Sequence, residues 1–200
     1  MERLDRRLPS GASRAQSNEH ELALLHRVQV RDRAAFQELY YLYHRRLARF
    51  LTRMTRHYEV AEEVINDTMW VVWQRAGDFR GSSQVSTWIM GIAYRRALKA
   101  LRRSNLPVQV VDGDPVDTDT ESDAGAAVDQ ADRRQLVAQA LAQLPLEQRL
   151  VVEFTYYQGY TCADIATIMD CPVNTVKTRM FHARRKLRAL LPGLAGALEA

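Results

Sequence analysis

The sequence predicts an all-α protein of two small helical bundles joined by an acidic linker. Apolar residues recur at three- and four-residue spacing along most of the chain, whereas strand signals are poor. Between Ser104 and Ala131 there are seven acidic residues, no Lys or Arg, and few large apolar side chains. Such a stretch cannot bury a core and is typical of an extended or disordered linker. The helical segments on either side are therefore expected to form separate bundles.

The first bundle is predicted over residues 18–104 and follows a polar N-terminus, residues 1–17, which we expect to be disordered. Its helices carry apolar stripes at helical spacing, so each can turn one face toward a shared core. We predict four helices: about Asn18 to Val30, a second from near Asp32, about Val60 to Arg75, and Ser86 or Thr87 to Arg103.

The second bundle is predicted over residues 131–192, after a linker at 105–130 and before a tail at 193–200. A helix from Asp132 to Leu144 stops at Pro145. A further helix from Pro145 to Gln158 ends at Gly159, because glycine readily adopts the left-handed conformation that closes a helix.

Residues 160–191 complete this bundle with a short helix, a tight turn and a longer basic helix. Thr161 and Asp164 fit a capping box at the start of the first helix, with a shorter acid than usual. Met169 to Pro172 form the turn, and Pro172 suits the first turn of the next helix, where a missing N–H has no penalty. This is the layout of a helix-turn-helix, whose second helix enters the DNA major groove.

The second of these helices separates into an apolar face and a cationic face. From Cys171 to Leu191 there are six Lys or Arg and no Asp or Glu, whereas a solvated helix normally mixes both signs. A one-sign face with an exposed Phe suits phosphates and a thymine methyl group. The alternative is a basic surface helix that contacts nothing. The apolar stripe comprises Val173, Val176, Met180, Ala183, Leu187, Leu190 and Leu191, and the opposite face carries Thr175, Lys177, Thr178, Phe181, His182, Arg185 and Arg188.

The third helix has an acidic outer face around a tryptophan. Glu59, Glu63, Asp67, Trp70 and Gln74 lie away from its inward stripe. Acids around an exposed Trp are a poor DNA surface but a good protein surface, since Trp is a common interface hot spot. The alternative is that Trp70 belongs to a wide core stripe and the acids are merely solvated.

A polar loop, Phe79 to Thr87, precedes the fourth helix, which exposes Tyr94, Arg95, Lys99 and Arg102. Hydroxyls and an amide beside aromatic and cationic groups can hold unpaired bases by stacking and edge hydrogen bonds. The alternative is an ordinary polar loop.

Composition narrows the class of protein further. The net charge is +4 over 200 residues, but the acidic linker leaves the rest of the chain much more basic, which indicates a polyanionic partner. Two cysteines are too few for a secreted disulfide scaffold, and we see neither a signal peptide nor a membrane helix. We therefore expect a soluble cytoplasmic protein without a cofactor.

Other classes of function have weaker support. We find no nucleophile–base pair, phosphate-binding glycine loop or metal-ligand cluster, so an enzyme is not predicted. Cys162, Cys171 and His182 suggest a zinc site or a redox switch. The alternative is that both cysteines are small packing residues. A response-regulator-type transcription factor would have an N-terminal receiver domain of alternating strands and helices, and residues 18–104 show no strand pattern. A purely structural adaptor does not explain the basic helix.

Two blocks of motifs resemble the extracytoplasmic-function (ECF) type of bacterial sigma factor. Phe79-Arg80-Gly81, Ser86-Thr87-Trp88-Ile89 and Ile92-Ala93 resemble that family's region 2. Leu144-Pro145-Leu146-Glu147-Gln148-Arg149 and Tyr160 to Leu187 resemble its region 4, and Cys171 to Arg179 is close to its recognition-helix signature. The resemblance covers about residues 20–104 and 130–191.

The resemblance implies a subunit of RNA polymerase that directs promoter-specific initiation. The alternative is a helix-turn-helix transcriptional regulator that does not act as a polymerase subunit. The residues implied to bind the coiled coil of the largest polymerase subunit are Glu62, Glu63, Asp67 and Trp70. The polymerase flap is implied as a second contact. The residues implied to bind unpaired bases of the −10 element are Arg80, Ser82, Ser83, Gln84, Ser86, Thr87, Trp88, Tyr94, Arg95 and Lys99. The residues implied to contact the −35 duplex are Thr175, Lys177, Thr178, Arg179, Phe181, His182, Arg184 and Arg185.

The family also implies a role for the linker and a candidate regulator. Its acidic segment resembles the one threaded near the polymerase active site, where negative charge mimics RNA. Family members are often held by an anti-sigma factor. The chain departs from the family pattern at Tyr94-Arg95, where many members have Arg-Asn, and at Gly91, where Arg is common, so −10 specificity cannot be carried over.

Overall fold

The computed structural model describes residues 11–55, 57–104 and 135–191, and every regular element in these ranges is helical. The all-α prediction is confirmed. The elements are α1 (Gly11–Gln29), α2 (Arg33–Thr55), α3 (Tyr58–Arg75), a 3₁₀ turn (Ala76–Asp78), α4 (Val85–Ser104), α5 (135–142), α6 (Leu146–Val152), α7 (Cys162–Met169) and α8 (Val173–Leu190). Within the described residues, no helix is long and apolar enough to cross a membrane.

Helices α1 to α4 enclose one hydrophobic core. Leu25, Leu39, Phe50, Ile65 and Ile89 are completely buried in it. Asp32 begins α2, since its Oδ1 accepts from the N–H groups of Ala34 and Ala35 at 2.9 and 3.1 Å.

The first helix begins earlier than the sequence predicts. The expectation of disorder through residue 17 is wrong for Gly11 onward, and residues 1–10 lie outside the described residues. A partly buried polar relay ties this helix to the bundle: Ser17 Oγ donates to Glu21, whose other oxygen accepts from the hydroxyl of Tyr43 at 2.6 Å. Asn18 Oδ1 also accepts from the N–H of Val85, the first residue of α4, at 3.1 Å.

The helix predicted from Pro145 to Gln158 changes geometry halfway. It is α-helical over Leu146–Val152 and then forms a π turn, Glu153–Tyr157, in which Gln158 N–H donates to the carbonyl of Glu153 at 3.2 Å. Gly159 follows with φ of 67°, as predicted for a helix-ending glycine.

The two bundles pack directly against each other. Phe50 of α2 meets Phe154 of the π turn with ring centroids 4.8 Å apart, and both rings are fully buried. Helix α7 lies against α4. The predicted linker, residues 105–130, lies outside the described residues. The structure therefore describes where the two bundles touch, but not the segment that joins them.

Candidate nucleic-acid and polymerase interfaces

The helix-turn-helix is fixed by its own side chains at the start of α7. Asp164 N–H donates to Thr161 Oγ1 at 3.2 Å, and Thr161 N–H donates to Asp164 Oδ2 at 3.1 Å, which confirms the predicted capping box. The turn ends α7 at Asp170, whose φ is 51°. Pro172 then precedes α8, and its carbonyl accepts from the N–H groups of Thr175 and Val176.

Replacing Thr161 by alanine is expected to lower the free energy of unfolding by about 0.5–2 kcal/mol, because the first turn of α7 loses its cap. Urea denaturation followed by circular dichroism measures the change. Thr167→Ala on the same helix is the matched control, since that exposed hydroxyl bonds only to the carbonyl of Ala163 within its own helix. Equal losses in both variants would contradict a special role for the cap.

Helix α8 presents the predicted two faces. Val176, Met180, Ala183 and Leu187 are buried against the bundle, as expected. Val173, predicted in the apolar stripe, is instead 39% exposed, because it opens the helix beyond the packed surface. On the opposite face the ring of Phe181 is 61% exposed and lies 5.5 Å from the ring of His182. Lys177, Thr178 and Arg185 are exposed around it.

The arginines and lysines of α8 differ in how firmly they are held. Arg179 is turned inward, where it forms an ion pair with Glu147 and contacts the sulfur of Cys171 at 3.5 Å. Arg184 donates to the hydroxyl of Tyr156 at 2.7 Å, and Lys186 donates to the carbonyl of Gln143 at 2.6 Å. The exposed Lys177 and Arg185 are therefore the simplest probes of DNA contact on this face.

The acidic face of α3 is exposed around its tryptophan. Trp70 is 60% exposed and Glu63 and Asp67 lie beside it on the surface, so the core alternative for Trp70 is wrong. Asp67 pairs with Arg96 of α4 at 3.3 Å, a partner that the sequence alone did not single out. Glu62 turns toward α2 instead, where its Oε2 lies 3.4 Å from His44 Nε2.

The loop between α3 and α4 offers small polar groups at the surface. Gly81 has φ of 69°, a conformation that other residues rarely adopt, and Arg80 and Ser82 are exposed. Ser83 Oγ donates to the carbonyl of Gln84 at 3.3 Å. The half-buried Trp88 packs against Phe79, with ring centroids 5.5 Å apart.

A groove beside this loop combines one aromatic ring with several cations. Trp88 lines it together with Arg75, Arg95, Arg96 and Lys99. Such a groove can stack a base on the indole and hold the backbone by its phosphates. Arg75 and Arg96 were not predicted, because their contribution depends on the packing of α3 against α4 and not on a motif.

Three of the residues expected to meet unpaired bases are covered by the second bundle. Ser86, Thr87 and Tyr94 are 6%, 1% and 6% exposed. Burial raises the pKa of the Tyr94 phenol, with Glu147 adding to the shift. Gly91, the other departure from the family pattern, lies against α7 as well. The accessible part of this predicted site is therefore Arg80, Ser82, Ser83, Gln84, Trp88, Arg95 and Lys99.

The two cysteines lie at opposite ends of α7, and both are half-buried free thiols. Among the described residues, no group of three or more His, Cys, Asp or Glu side chains is arranged to hold a metal ion. The thiol of Cys171 instead packs beside Arg179.

Comparison with protein families assigns both halves of the chain. The model of sigma-70 region 2 matches residues 39–106, and the model of sigma-70 region 4 matches residues 134–187. A region 2 bundle followed by a region 4 helix-turn-helix defines the class as sigma factors, the subunits that bring RNA polymerase to promoters.

Relatives place the chain more closely within this class. It is 30% identical over 192 residues to the RNA polymerase sigma-H factor of Pseudomonas aeruginosa, covering 90% of this chain and 99% of that protein. It is 35% identical over 162 residues to the ECF RNA polymerase sigma factor SigM of Mycobacterium tuberculosis, covering 80% and 79%. The chain belongs to the ECF family of RNA polymerase sigma factors, and this excludes a helix-turn-helix regulator acting without polymerase.

Two solved structures share the fold. CnrH in complex with the cytosolic domain of CnrY is similar with a TM-score of 0.63 and 21% identity, covering 87% of this chain and 98% of that one. The sigma factor RpoE in complex with the anti-sigma factor NepR from Bartonella quintana is similar with a TM-score of 0.59 and 23% identity, covering 78% and 96%.

Proposed function

We propose that this ECF sigma factor divides promoter recognition between two surfaces of the described residues. The outward face of α8 reads the −35 element in the duplex, and the loop and groove at the start of α4 hold unpaired bases of the −10 element. The observation that carries the proposal is the face of α8, where exposed Lys177 and Arg185 surround a 61% exposed Phe181. Cations bind phosphates and an aromatic ring contacts a thymine methyl group.

Core RNA polymerase binds the third helix in this proposal. Glu63, Asp67 and Trp70 form one exposed patch that suits the basic coiled coil of the largest subunit. Glu62 contributes indirectly, by holding His44 at the edge of the patch. Region 4 makes the second contact, with the polymerase flap. The chain recognises DNA and performs no catalysis of its own, and it works in the cytoplasm, where core polymerase is found.

An anti-sigma factor is a further candidate partner. The RpoE structure to which this chain is similar is bound to an anti-sigma factor, and the CnrH structure is bound to the cytosolic domain of CnrY. The acidic linker, residues 105–130, is proposed to follow the path of RNA near the polymerase active site.

Two substitutions on α8 separate base reading from phosphate contact. Lys177→Ala is expected to relax the choice of sequence at one base pair, at about 1–3 kcal/mol if the lysine meets a guanine edge. Arg185→Ala is expected to weaken binding to all sequences alike and to flatten the salt dependence, because it releases one fewer counterion. Holoenzyme binding to a randomised −35 library, at several salt concentrations, measures both effects.

The matched pair makes the assignment testable, since both residues are exposed cations on one helix. If Lys177→Ala lowers the binding affinity equally for every sequence, Lys177 contacts a phosphate and does not read a base. Unchanged affinity in both variants would mean that another surface reads the −35 element.

A further inference from the structure

The π turn that follows α6 presents two tyrosines outward. Tyr156 and Tyr157 are 46% and 47% exposed, whereas Phe154 in the same turn is fully buried. Single π turns within helices are frequent at functional sites. The two tyrosines meet different elements, since the ring of Tyr157 lies 4.4 Å from the guanidinium of Arg53 in α2, and Tyr156 contacts α8. The turn therefore supplies one exposed tyrosine to the recognition helix.

Tyr156 and Arg184 form a pair of hydrogen-bond donors at the surface. The hydroxyl oxygen of Tyr156 accepts from Nη2 of Arg184 at 2.7 Å, and the guanidinium carbon lies 5.8 Å from the centre of the tyrosine ring. A guanidinium has no acceptor atom, so the hydroxyl keeps its own proton for another partner. Among the described residues, no group accepts that proton. The pair therefore offers one charged donor and one neutral donor side by side.

The charges on the neighbouring elements favour an anion at this pair. Residues 171–191 carry six Lys or Arg and no Asp or Glu. The acids of α6 and of the π turn face other cations, because Glu147 pairs with Arg179 and Glu153 lies 3.9 Å from Arg53. Hydrogen bonds from a guanidinium to an anion are about twice as strong as those between neutral groups. An anionic oxygen is therefore the ligand that suits the two donors.

The position of Arg184 on α8 fits the edge of the DNA major groove. Arg184 comes seven residues after Lys177, which is about two helical turns, so both lie on nearly the same line of the helix, about 10 Å apart. The major groove is about 12 Å wide, and a recognition helix contacts bases through its N-terminal residues. When Lys177 reaches a base edge, Arg184 and Tyr156 are therefore at about the distance of the phosphates that flank the groove.

We propose that Tyr156 and Arg184 together bind one phosphate of the DNA backbone beside the −35 element, so that the π turn contributes a DNA contact from outside the recognition helix. The proposal rests on the proposed function of α8. Tyr156 holds the guanidinium in place, which lowers the entropy lost when Arg184 is ordered on DNA. Its hydroxyl also donates to a phosphate oxygen. No motif indicates this role, because Tyr156 lies 28 positions before Arg184.

The test removes the hydroxyl and keeps the ring with Tyr156→Phe. Tyr157→Phe is the matched control, because that tyrosine is equally exposed on the same turn but faces α2. Each full-length variant is assembled with core RNA polymerase, and fluorescence anisotropy measures its affinity for a duplex that the parent holoenzyme selects from a randomised −35 library. In a second series, each phosphate of that duplex is replaced in turn by an uncharged methylphosphonate.

Tyr156→Phe is expected to weaken binding by about three- to tenfold, the usual range for the loss of one hydrogen bond, and Tyr157→Phe is expected to match the parent. One methylphosphonate position is expected to weaken binding of the parent and to have little effect on Tyr156→Phe. Arg184→Ala is expected to become insensitive at that same position, because both side chains contact one phosphate. A purely structural role of Tyr156 would not change the response to a single phosphate.

Three results would overturn the proposal while Lys177→Ala still relaxes the choice of sequence and the proposed function stands. Tyr156→Phe could bind as tightly as the parent, it could keep the parent's sensitivity at every methylphosphonate, or Tyr157→Phe could lose as much affinity. The last result would assign the effect to the turn as a whole and not to the Tyr156 hydroxyl. A parent holoenzyme that selects no sequence from the library would instead contradict the proposed function, and the phosphate contact with it.

Discussion

Open-complex formation on duplex promoters is expected to be lost when Ser82, Ser83 and Gln84 are replaced together by alanine. Removing a base from the stack costs a few kcal/mol, and a pocket must offset this by edge hydrogen bonds and stacking. The side chains of these residues supply donors and acceptors beside the groove that contains Trp88. Polymerase binding and −35 recognition are expected to survive, since both use surfaces on other helices.

Permanganate reactivity of unpaired thymines is the measurement for this variant. Templates already mismatched across the start region are the internal control, and they are expected to restore initiation because melting is the step that is lost. Normal reactivity on duplex promoters would mean that the loop does not trap bases and that another surface opens the DNA.

Loss of polymerase binding is expected to be the largest effect of replacing Trp70 by alanine. An exposed tryptophan at the centre of an interface commonly contributes about 2 kcal/mol or more, which is about a thirtyfold change in affinity. Asp67→Lys is expected to lower affinity by about 2–5 kcal/mol, because it reverses a charge that faces a basic partner. Both residues are exposed, and the ion pair of Asp67 with Arg96 lies at the surface, so the fold is expected to remain intact.

Two other aromatic residues of α3 serve as controls for Trp70. Tyr58 is 67% exposed at the first position of the same helix, about three turns before Trp70, so Tyr58→Ala is expected to leave polymerase affinity unchanged. Trp73 packs against Phe36, with ring centroids 5.1 Å apart, so Trp73→Ala is expected to destabilise the bundle. Binding of core polymerase by biolayer interferometry, with thermal unfolding in parallel, separates the two kinds of loss. Equal affinity for the parent and Trp70→Ala would contradict the assignment.

Features set by neighbouring residues could be predicted from the sequence. The capping box of Thr161 and Asp164, the turn before Pro172 and the glycine at position 159 depend on residues within a few positions of one another. Helical periodicity likewise located the buried stripe of α8. Periodicity could not decide whether Trp70 is buried in the core or exposed on the surface, because a residue at its position can lie at the edge of a wide apolar stripe or outside a narrow one.

Features set by distant residues could not be predicted. Thr87 and Asp164 are 77 positions apart, and Tyr160 and Ser86 are 74 apart, so no local pattern indicates that they meet. Glu62 faces His44 for a similar reason, since only the packing of α3 on α2 brings them together. The helical start at Gly11 is another case, because the relay from Ser17 through Glu21 to Tyr43 depends on tertiary structure.

Two separate DNA surfaces of this chain are expected to give core RNA polymerase its promoter specificity. The decisive measurement is transcription in vitro, with core polymerase and this chain on a pool of promoters from its own genome. We expect transcripts from a subset of promoters that share both a −35 and a −10 sequence. Lys177→Ala is expected to broaden the first sequence, and the triple-alanine loop variant is expected to abolish transcription on duplex templates. Transcripts that do not depend on the added chain, or no transcripts although the chain binds core polymerase, would contradict this expectation.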